Sequence, residues 1–166
     1  MNNKFFSFLK SIERASFIKP DDEELLKFWE ISCGRLPDIL TEVYTNDMPA
    51  DEIEFSDFVF YDINRMYEEN INYIPGANIF PFGFFTFAST FDGDAICIDL
   101  SNNNFPVYQC SHELLADESK ITYYKEKMMH ELDFNYDNII KVSYRLADSL
   151  TEFIDELSED TAEKFD

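Results

Sequence analysis

Hydrophobic residues near the N-terminus recur at intervals that bring them to one side of a helix. The apolar stripe runs from Phe5 to Phe17, and Pro20 then interrupts the chain. This spacing predicts an N-terminal helical extension over residues 1–20.

Acidic residues and a glycine mark the ends of a second predicted helix. Asp21 to Glu24 place negative charge in its first turn, where the helix dipole favours it, and Gly34 is suited to end it. We expect Trp29, the single tryptophan, to lie in the core. Pro37 is tolerated in a first helical turn and predicts a short third helix, Asp38–Tyr44.

The middle of the chain changes to short apolar runs separated by turn residues. Residues 53–55 and 58–61 have the pattern of strands, and Ile63–Tyr73 has the spacing of a helix. Three longer apolar runs follow the turn at Pro75 and Gly76, at residues 79–89, 95–100 and 105–110. This order predicts an antiparallel meander.

The last part of the chain contains one strong helical pattern. Residues 119–137 fit neither period, and we assign no element to them. From Ile139 to Leu157 apolar positions recur mostly at three- and four-residue steps, which predicts one long amphipathic helix. Residues 158–166 form an acidic tail that we expect to fray. The whole pattern predicts a single α+β domain over residues 1–166, with a central antiparallel sheet flanked by helices.

The composition supports a folded chain, and its net charge indicates which partners are favoured. The 166 residues are 45% hydrophobic and 17% aromatic, which excludes a disordered chain and allows a substantial core. There are 34 acidic and 13 basic residues, a formal net charge of −21. Such a field disfavours nucleic acid and anionic membranes and favours a basic partner. The alternative is that the charge serves solubility alone.

The cysteines and the N-terminal residues indicate which cellular compartment to expect. Cys33, Cys97 and Cys110 cannot all pair within the chain, and no CxxC is present. With only His112 near Cys110, a zinc site is not expected, and the interpretation is three buried thiols in a reducing cytoplasm. The N-terminal apolar patch is too short for a secretory signal, and no stretch is long enough to span a membrane.

The segment FDGDAICIDL concentrates three aspartates around a glycine. Asp92 and Gly93 between two apolar runs predict a hairpin turn, because both residues tolerate a positive φ. In the following strand Ala95 and Cys97 would face one side. A calcium or magnesium site is the alternative, but the acidic register and closing Glu of an EF-hand are missing. We therefore expect a turn and no bound metal or other cofactor.

No catalytic motif accompanies these residues. There is no GxSxG and no glycine-rich phosphate loop, and His112 with Glu113 lacks the second histidine of a zincin helix. Acidic residues are so common that no pair of carboxylates stands out as a glycosidase site. A hydrolase dependent on Asp92, Asp94 or Asp99 is an alternative without support, and the expectation is a protein that is not an enzyme.

Three stretches, in order and properly spaced, resemble the SUKH superfamily of immunity proteins, whose fold is shared with yeast cell-wall regulators. They are GRLPDIL at residues 34–40 with the turn at residues 46–47, FDGDAICIDLSNNNFPVYQCSHE at 91–113, and ADSLTEFIDEL at 147–157. The second is the most specific, and its matching positions are Gly93, Asp94, Asp99, Pro106, Val107, His112 and Glu113. The resemblance spans about Asp21 to Leu157.

The resemblance implies no catalytic residues. It implies a cytoplasmic bacterial immunity protein that neutralises a cognate toxin, often a basic nuclease, by direct binding. We expect the contact on the sheet face and its flanking helix, where Asp62, Glu68, Glu69, Asp92 and Asp94 contribute. The alternative for each of these residues is an ordinary solvated acid. The alternative function is a non-catalytic scaffold or regulatory module that binds another protein.

Overall fold

The structure, a computed structural model, describes residues 2–163 and contains seven α-helices and ten strands within them. The helices are α1 (Lys4–Ser11), α2 (Asp22–Ser32), α3 (Asp38–Asn46), α4 (Ile63–Ile71), α5 (Gly76–Ile79), α6 (Tyr136–Val142) and α7 (Leu150–Glu163). The strands are β1 (Phe17–Ile18), β2 (Met48–Pro49), β3 (Ile53–Phe55), β4 (Phe58–Phe60), β5 (Phe84–Thr90), β6 (Ala95–Asp99), β7 (Val107–Cys110), β8 (Lys120–Lys125), β9 (Met128–Asp133) and β10 (Tyr144–Ala147).

A six-stranded sheet forms the centre of the molecule. Its strand order is β10-β7-β6-β5-β4-β3, and every neighbouring pair is antiparallel. Strands β3 to β7 follow one another in space as they do in sequence, which is the predicted meander. The predicted α+β class, with a central antiparallel sheet flanked by helices, is confirmed.

One face of the sheet carries the larger core. Side chains of β4, β5 and β6, among them Phe60, Phe87 and Ile96, are buried there against α1, α2, α3 and α7. The N-terminal helix contributes Phe5, which is fully buried and meets the Phe60 ring edge-on at 6.0 Å. Residues 1–20 were predicted as an extension, but α1 is an integral part of this core.

The opposite face carries a smaller core, built on the alternation predicted for β6. Ala95 and Cys97 point into it, whereas Ile96 and Ile98 point into the larger core. Ile139 of α6 covers this second face. Because successive residues of a strand face opposite sides, one short apolar strand supplies both cores.

The predicted long C-terminal helix is wrong in its first half. Helix α6 ends at Val142, strand β10 adds to the sheet beside β7, and a second helix, α7, begins at Leu150. The apolar spacing is shared by the two helices, but the ladder bonds along the free edge of β7 favour an extended segment between them. Helix α7 continues to Glu163, so residues 158–163 are helical where a fraying tail was expected; residues 164–166 lie outside the described part.

Two further segments differ from their predictions. Residues 79–89 were expected to be a strand throughout, but Phe80–Phe82 form a 3-10 turn that ends at Gly83, with a φ of 91°. The unassigned residues 119–137 contain the hairpin of β8 and β9. Its turn is Glu126–Lys127, where both residues have positive φ.

Trp29 does not lie in the core. Helix α2 buries Phe28 and Ile31, and Trp29 is 48% exposed. One residue along a helix rotates the side chain by about 100°, so the neighbour of a buried residue turns toward solvent. The helix predicted over residues 1–20 covers only Lys4–Ser11, and Phe17–Ile18 form β1. The other predicted boundaries agree more closely, including α3 beginning at Asp38 after Pro37.

Candidate functional site

A cleft of about 450 Å³ lies between α4 and the turn that joins β5 to β6. Tyr61, Arg65 and Glu69 line it from the start and one side of α4. Its other lining residues are Asn72, Tyr73, Ile74, Ser89 and Gly93. The cleft therefore collects tyrosine, arginine, glutamate and serine side chains at one place, beside the end of β5.

Helix α4 is fixed beside β5 by Asn70. Strand β4 is three residues long and pairs with β5 only as far as Ala88, so Thr86 has no strand neighbour on that side. The Asn70 side chain replaces it: its Oδ1 accepts from the Thr86 amide at 2.9 Å, and its Nδ2 donates to the Thr86 carbonyl at 2.8 Å. Asn70 is 1% exposed, so these bonds are shielded from water.

A close approach of backbone to backbone closes the far end of α4. A Cβ on Gly76 would lie 2.1 Å from the Glu69 carbonyl oxygen, so only glycine fits there. At the other end, Asp62 caps the helix by accepting from the Arg65 amide at 2.7 Å. Arg65 and Glu69 are thereby held one turn apart on the cleft side.

Tyr61 contributes a buried hydroxyl without a hydrogen-bond partner. The residue is 1% exposed, and its Oη has no partner of good geometry among residues 2–163. Burial raises the pKa of Tyr61, the Glu69 carboxylate raises it further, and the nearby Ser89 hydroxyl lowers it only in part. A buried hydroxyl left unpaired is unusual and costs stability, so the Tyr61 Oη is a group to which a ligand can bind.

Glu69 is a largely buried carboxylate whose negative charge is only partly balanced by the cation paired with it. Its Oε1 accepts from the Arg65 guanidinium at 2.7 Å, and its side chain is 10% exposed. Burial raises the pKa of Glu69, and the Arg65 charge offsets only part of that increase. Arg65 also lies 3.7 Å from Glu52, so its charge is shared between two carboxylates.

Exposed apolar residues surround these polar groups. Tyr73 and Ile74, both in the lining, are 47% and 52% exposed, and Phe91 is 56% exposed in the turn that carries Gly93. The Arg65 guanidinium lies 5.4 Å from the centre of the Tyr73 ring. Exposed aromatic and aliphatic side chains beside polar groups are typical of a surface that binds another molecule.

Asp94 directly follows this turn and does not line the cleft. Its Oδ1 accepts from the backbone amide of His112 at 3.0 Å and lies 2.8 Å from the His112 Nδ1, while its Oδ2 accepts from Gln109 at 2.9 Å. Burial alone would raise the pKa of Asp94, but these hydrogen bonds outweigh it and hold the pKa below its usual value. Asp94 therefore joins the turn to the end of β7.

The turn itself differs in detail from the prediction. The Gly93 amide donates to the Thr90 carbonyl at 3.1 Å, and Gly93 has a φ of 96°, whereas Asp92 does not adopt a positive φ. A loop of three residues, 91–93, therefore joins the strands in place of the two-residue turn expected from Asp92 and Gly93.

Of the five predicted contact residues, only Glu69 lines the cleft. Asp62 caps α4, Glu68 accepts from Asn72 at 2.8 Å beside the cleft, Asp92 is exposed in the turn, and Asp94 binds His112 and Gln109. Sequence reasoning missed Tyr61, Arg65 and Tyr73. The Arg65–Glu69 spacing of four residues on a predicted helix was a signal for an ion pair, but nothing local indicated the buried hydroxyl.

Other features of the described residues offer less chemistry. A groove of about 490 Å³ between α1 and α7 holds the exposed Lys4–Asp155 pair and several serines, without a buried unpaired group. Cys97 and Cys110 are buried with sulfurs 3.0 Å apart, whereas Cys33 is exposed, contrary to expectation. Within residues 2–163 no three His, Cys, Asp or Glu side chains are grouped as metal ligands would be.

Over the same residues, no helix has the length and apolar character needed to cross a membrane. Comparison with known proteins finds no family model, no curated protein and no solved structure that matches this chain.

Proposed function

We propose that this protein is a cytoplasmic bacterial immunity protein, which neutralises a basic toxin, such as a nuclease, by forming a stoichiometric complex with it. The observation that carries the proposal is the cleft, where the buried Glu69 carboxylate lies within a rim of exposed Tyr73 and Ile74. Tyrosine and arginine are enriched among the residues that contribute most to protein–protein affinity, and the cleft presents both, in Tyr73 and Arg65.

The net charge of −21 supports a basic partner. An acidic protein attracts a cationic one over distances near the Debye length, which raises the association rate. The same field would place the immunity protein over the cationic nucleic-acid cleft of a nuclease and exclude its substrate. Such inhibition requires binding alone, which agrees with the expectation of a protein without catalytic residues.

The test is capture of the toxin encoded beside this gene, followed by measurement of the complex at several salt concentrations. We expect a one-to-one complex whose association rate falls as salt rises. Replacing Tyr73 and Ile74 together by Ala should weaken it at least tenfold, because the partner loses an aromatic and an aliphatic contact, and tyrosines are often among the residues that dominate affinity. Tyr144→Ala, at a more exposed tyrosine on β10, is the control and should leave the affinity unchanged.

Failure to bind any toxin encoded nearby would contradict the proposal. A stable complex with a host protein in place of a toxin would instead establish the scaffold or regulatory function considered from the sequence.

A further inference from the structure

We infer that the cleft receives a basic side chain of the partner, with its guanidinium or ammonium group placed between the Glu69 carboxylate and the Tyr61 hydroxyl. This inference rests on the proposed function, which it extends by naming the chemical group that the cleft recognises.

The hydroxyl of Tyr61 is a polar group that an occupant of the cleft can pair. It is buried, it lines the cleft, and among residues 2–163 it has no hydrogen-bond partner of good geometry, although the Ser89 hydroxyl is nearby. A polar occupant gains a hydrogen bond there, whereas an apolar occupant leaves the hydroxyl unpaired, as it is in the free protein. A polar group of the occupant at the depth of Tyr61 is therefore favoured.

The charges at the cleft favour a cation. Among residues 2–163 Arg65 is the only cation paired with Glu69, and Arg65 divides its contacts between Glu69 and Glu52. A carboxylate or phosphate would meet two glutamates in a protein of net charge −21, so an anion is disfavoured. A cation would add donors to the Glu69 carboxylate and complete its compensation.

The side chains around the cleft also suit a basic residue with an apolar stem. The side chain of Tyr73 presents its ring to the cleft, and the Arg65 guanidinium already lies 5.4 Å from the ring centre. Aromatic rings attract cations, and an arginine or lysine also has an apolar stem. Ile74, half exposed at the rim, suits contact with that stem.

The experiment titrates the full-length protein with Nα-acetylarginine N-methylamide while backbone amides are followed by NMR. The neutral control is the corresponding citrulline compound, which has nearly the same shape without the charge. We expect saturable shifts confined to the cleft, at Tyr73, Ser89 and Gly93, and at least tenfold weaker binding of citrulline. A lysine analogue in a parallel titration decides between guanidinium and ammonium, and binding of either in the cleft supports the inference.

Two variants assign the effect to the named groups. Glu69→Gln and Tyr61→Phe should each weaken arginine binding several-fold, whereas Glu68→Gln, the neighbouring and more exposed glutamate, should not. Because Tyr61→Phe removes a hydroxyl that has no hydrogen-bond partner of good geometry among residues 2–163, we expect it to fold normally.

Equal binding of arginine and citrulline, or shifts spread over the surface, would overturn the inference. So would unchanged arginine binding in folded Glu69→Gln. If a toxin complex forms while the arginine compound does not bind, the inference fails and the proposed function stands. If the arginine compound binds in the cleft and no toxin does, the proposed function fails.

Discussion

Glu69 and Asp94 lie on the two sides of one turn and have opposite surroundings. Asp94 accepts from the His112 amide and from Gln109, and lies within hydrogen-bond distance of the His112 ring. Glu69 is more deeply buried, at 10% side-chain exposure against 20% for Asp94, and has one cation that is shared with Glu52. Hydrogen bonds hold the pKa of Asp94 low, whereas burial raises that of Glu69.

The comparison shows how to distinguish a structural acid from a binding one in a protein with 34 acidic residues. A carboxylate whose lone pairs are filled by its own chain stabilises the fold. A carboxylate that is buried without enough donors or cations around it lowers the stability of the fold. A partner that supplies the missing contacts binds more tightly for that reason. Charge and position along the chain do not separate these two cases, but hydrogen-bond partners do.

Removing the contact that docks α4, and with it Glu69, onto β5 should have the greatest consequence for stability. Asn70→Ala should destabilise the protein by about 3 kcal/mol, because the amide and carbonyl of Thr86 lose buried partners. Urea unfolding measures the change. The control is Asn64→Ala, an exposed asparagine of the same helix whose bonds to Glu24 and Lys27 are on the surface. Equal midpoints for the two variants would contradict the role of Asn70 as a substitute strand neighbour.

A smaller effect should separate the two aspartates of the turn. Asp94→Ala should cost about 1–3 kcal/mol, because the His112 amide and the Gln109 side chain lose a charged acceptor. Asp92→Ala, two residues away and exposed, should change stability by less than about 0.5 kcal/mol. Thermal unfolding of both variants at neutral pH is the measurement. A destabilised Asp92→Ala, or an unaffected Asp94→Ala, would show that the assignment of Asp94 as the structural acid is wrong.

The order of strands and helices around this site could largely be predicted from the sequence, because local patterns determine it. The alternation in β6, Pro37 before α3 and the Asp92–Gly93 turn each act within a few residues. The site could not be predicted so well. Tyr61, Glu69 and Ser89 meet only because Asn70 docks α4 onto β5, a contact between residues 16 apart in sequence.

The wrong prediction of one long C-terminal helix has the same origin, a contact between residues distant in sequence. Residues 139–157 fit a helical period, yet Tyr144–Ala147 pair with β7, more than 30 residues earlier. The Ser149–Glu152 spacing was a local sign of a new helix, and the Glu152 amide does donate to the Ser149 hydroxyl at 3.1 Å. The apolar periodicity continues across Ser149 and Glu152, so the start of a new helix there was not recognised.

The difference in proton binding between Glu69 and Asp94 should be small, and measuring it decides whether the Glu69 carboxylate is left unsatisfied by its own chain. Side-chain carboxyl shifts of Glu69 and Asp94, followed by NMR from neutral to acid pH, report both pKa values. We predict that the pKa of Glu69 lies above 4.5 and that of Asp94 below 3.8. The stability contributed by Glu69 is then fully present below pH 4.5 and is lost as the pH rises through the folded pKa of Glu69. The stability contributed by Asp94 is present above pH 3.8 and is lost as the pH falls through the folded pKa of Asp94. Adding the arginine compound should lower the pKa of Glu69 and leave Asp94 unchanged. A Glu69 pKa at or below 4.5 in the free protein would mean that its own chain already satisfies the carboxylate, and would contradict the account.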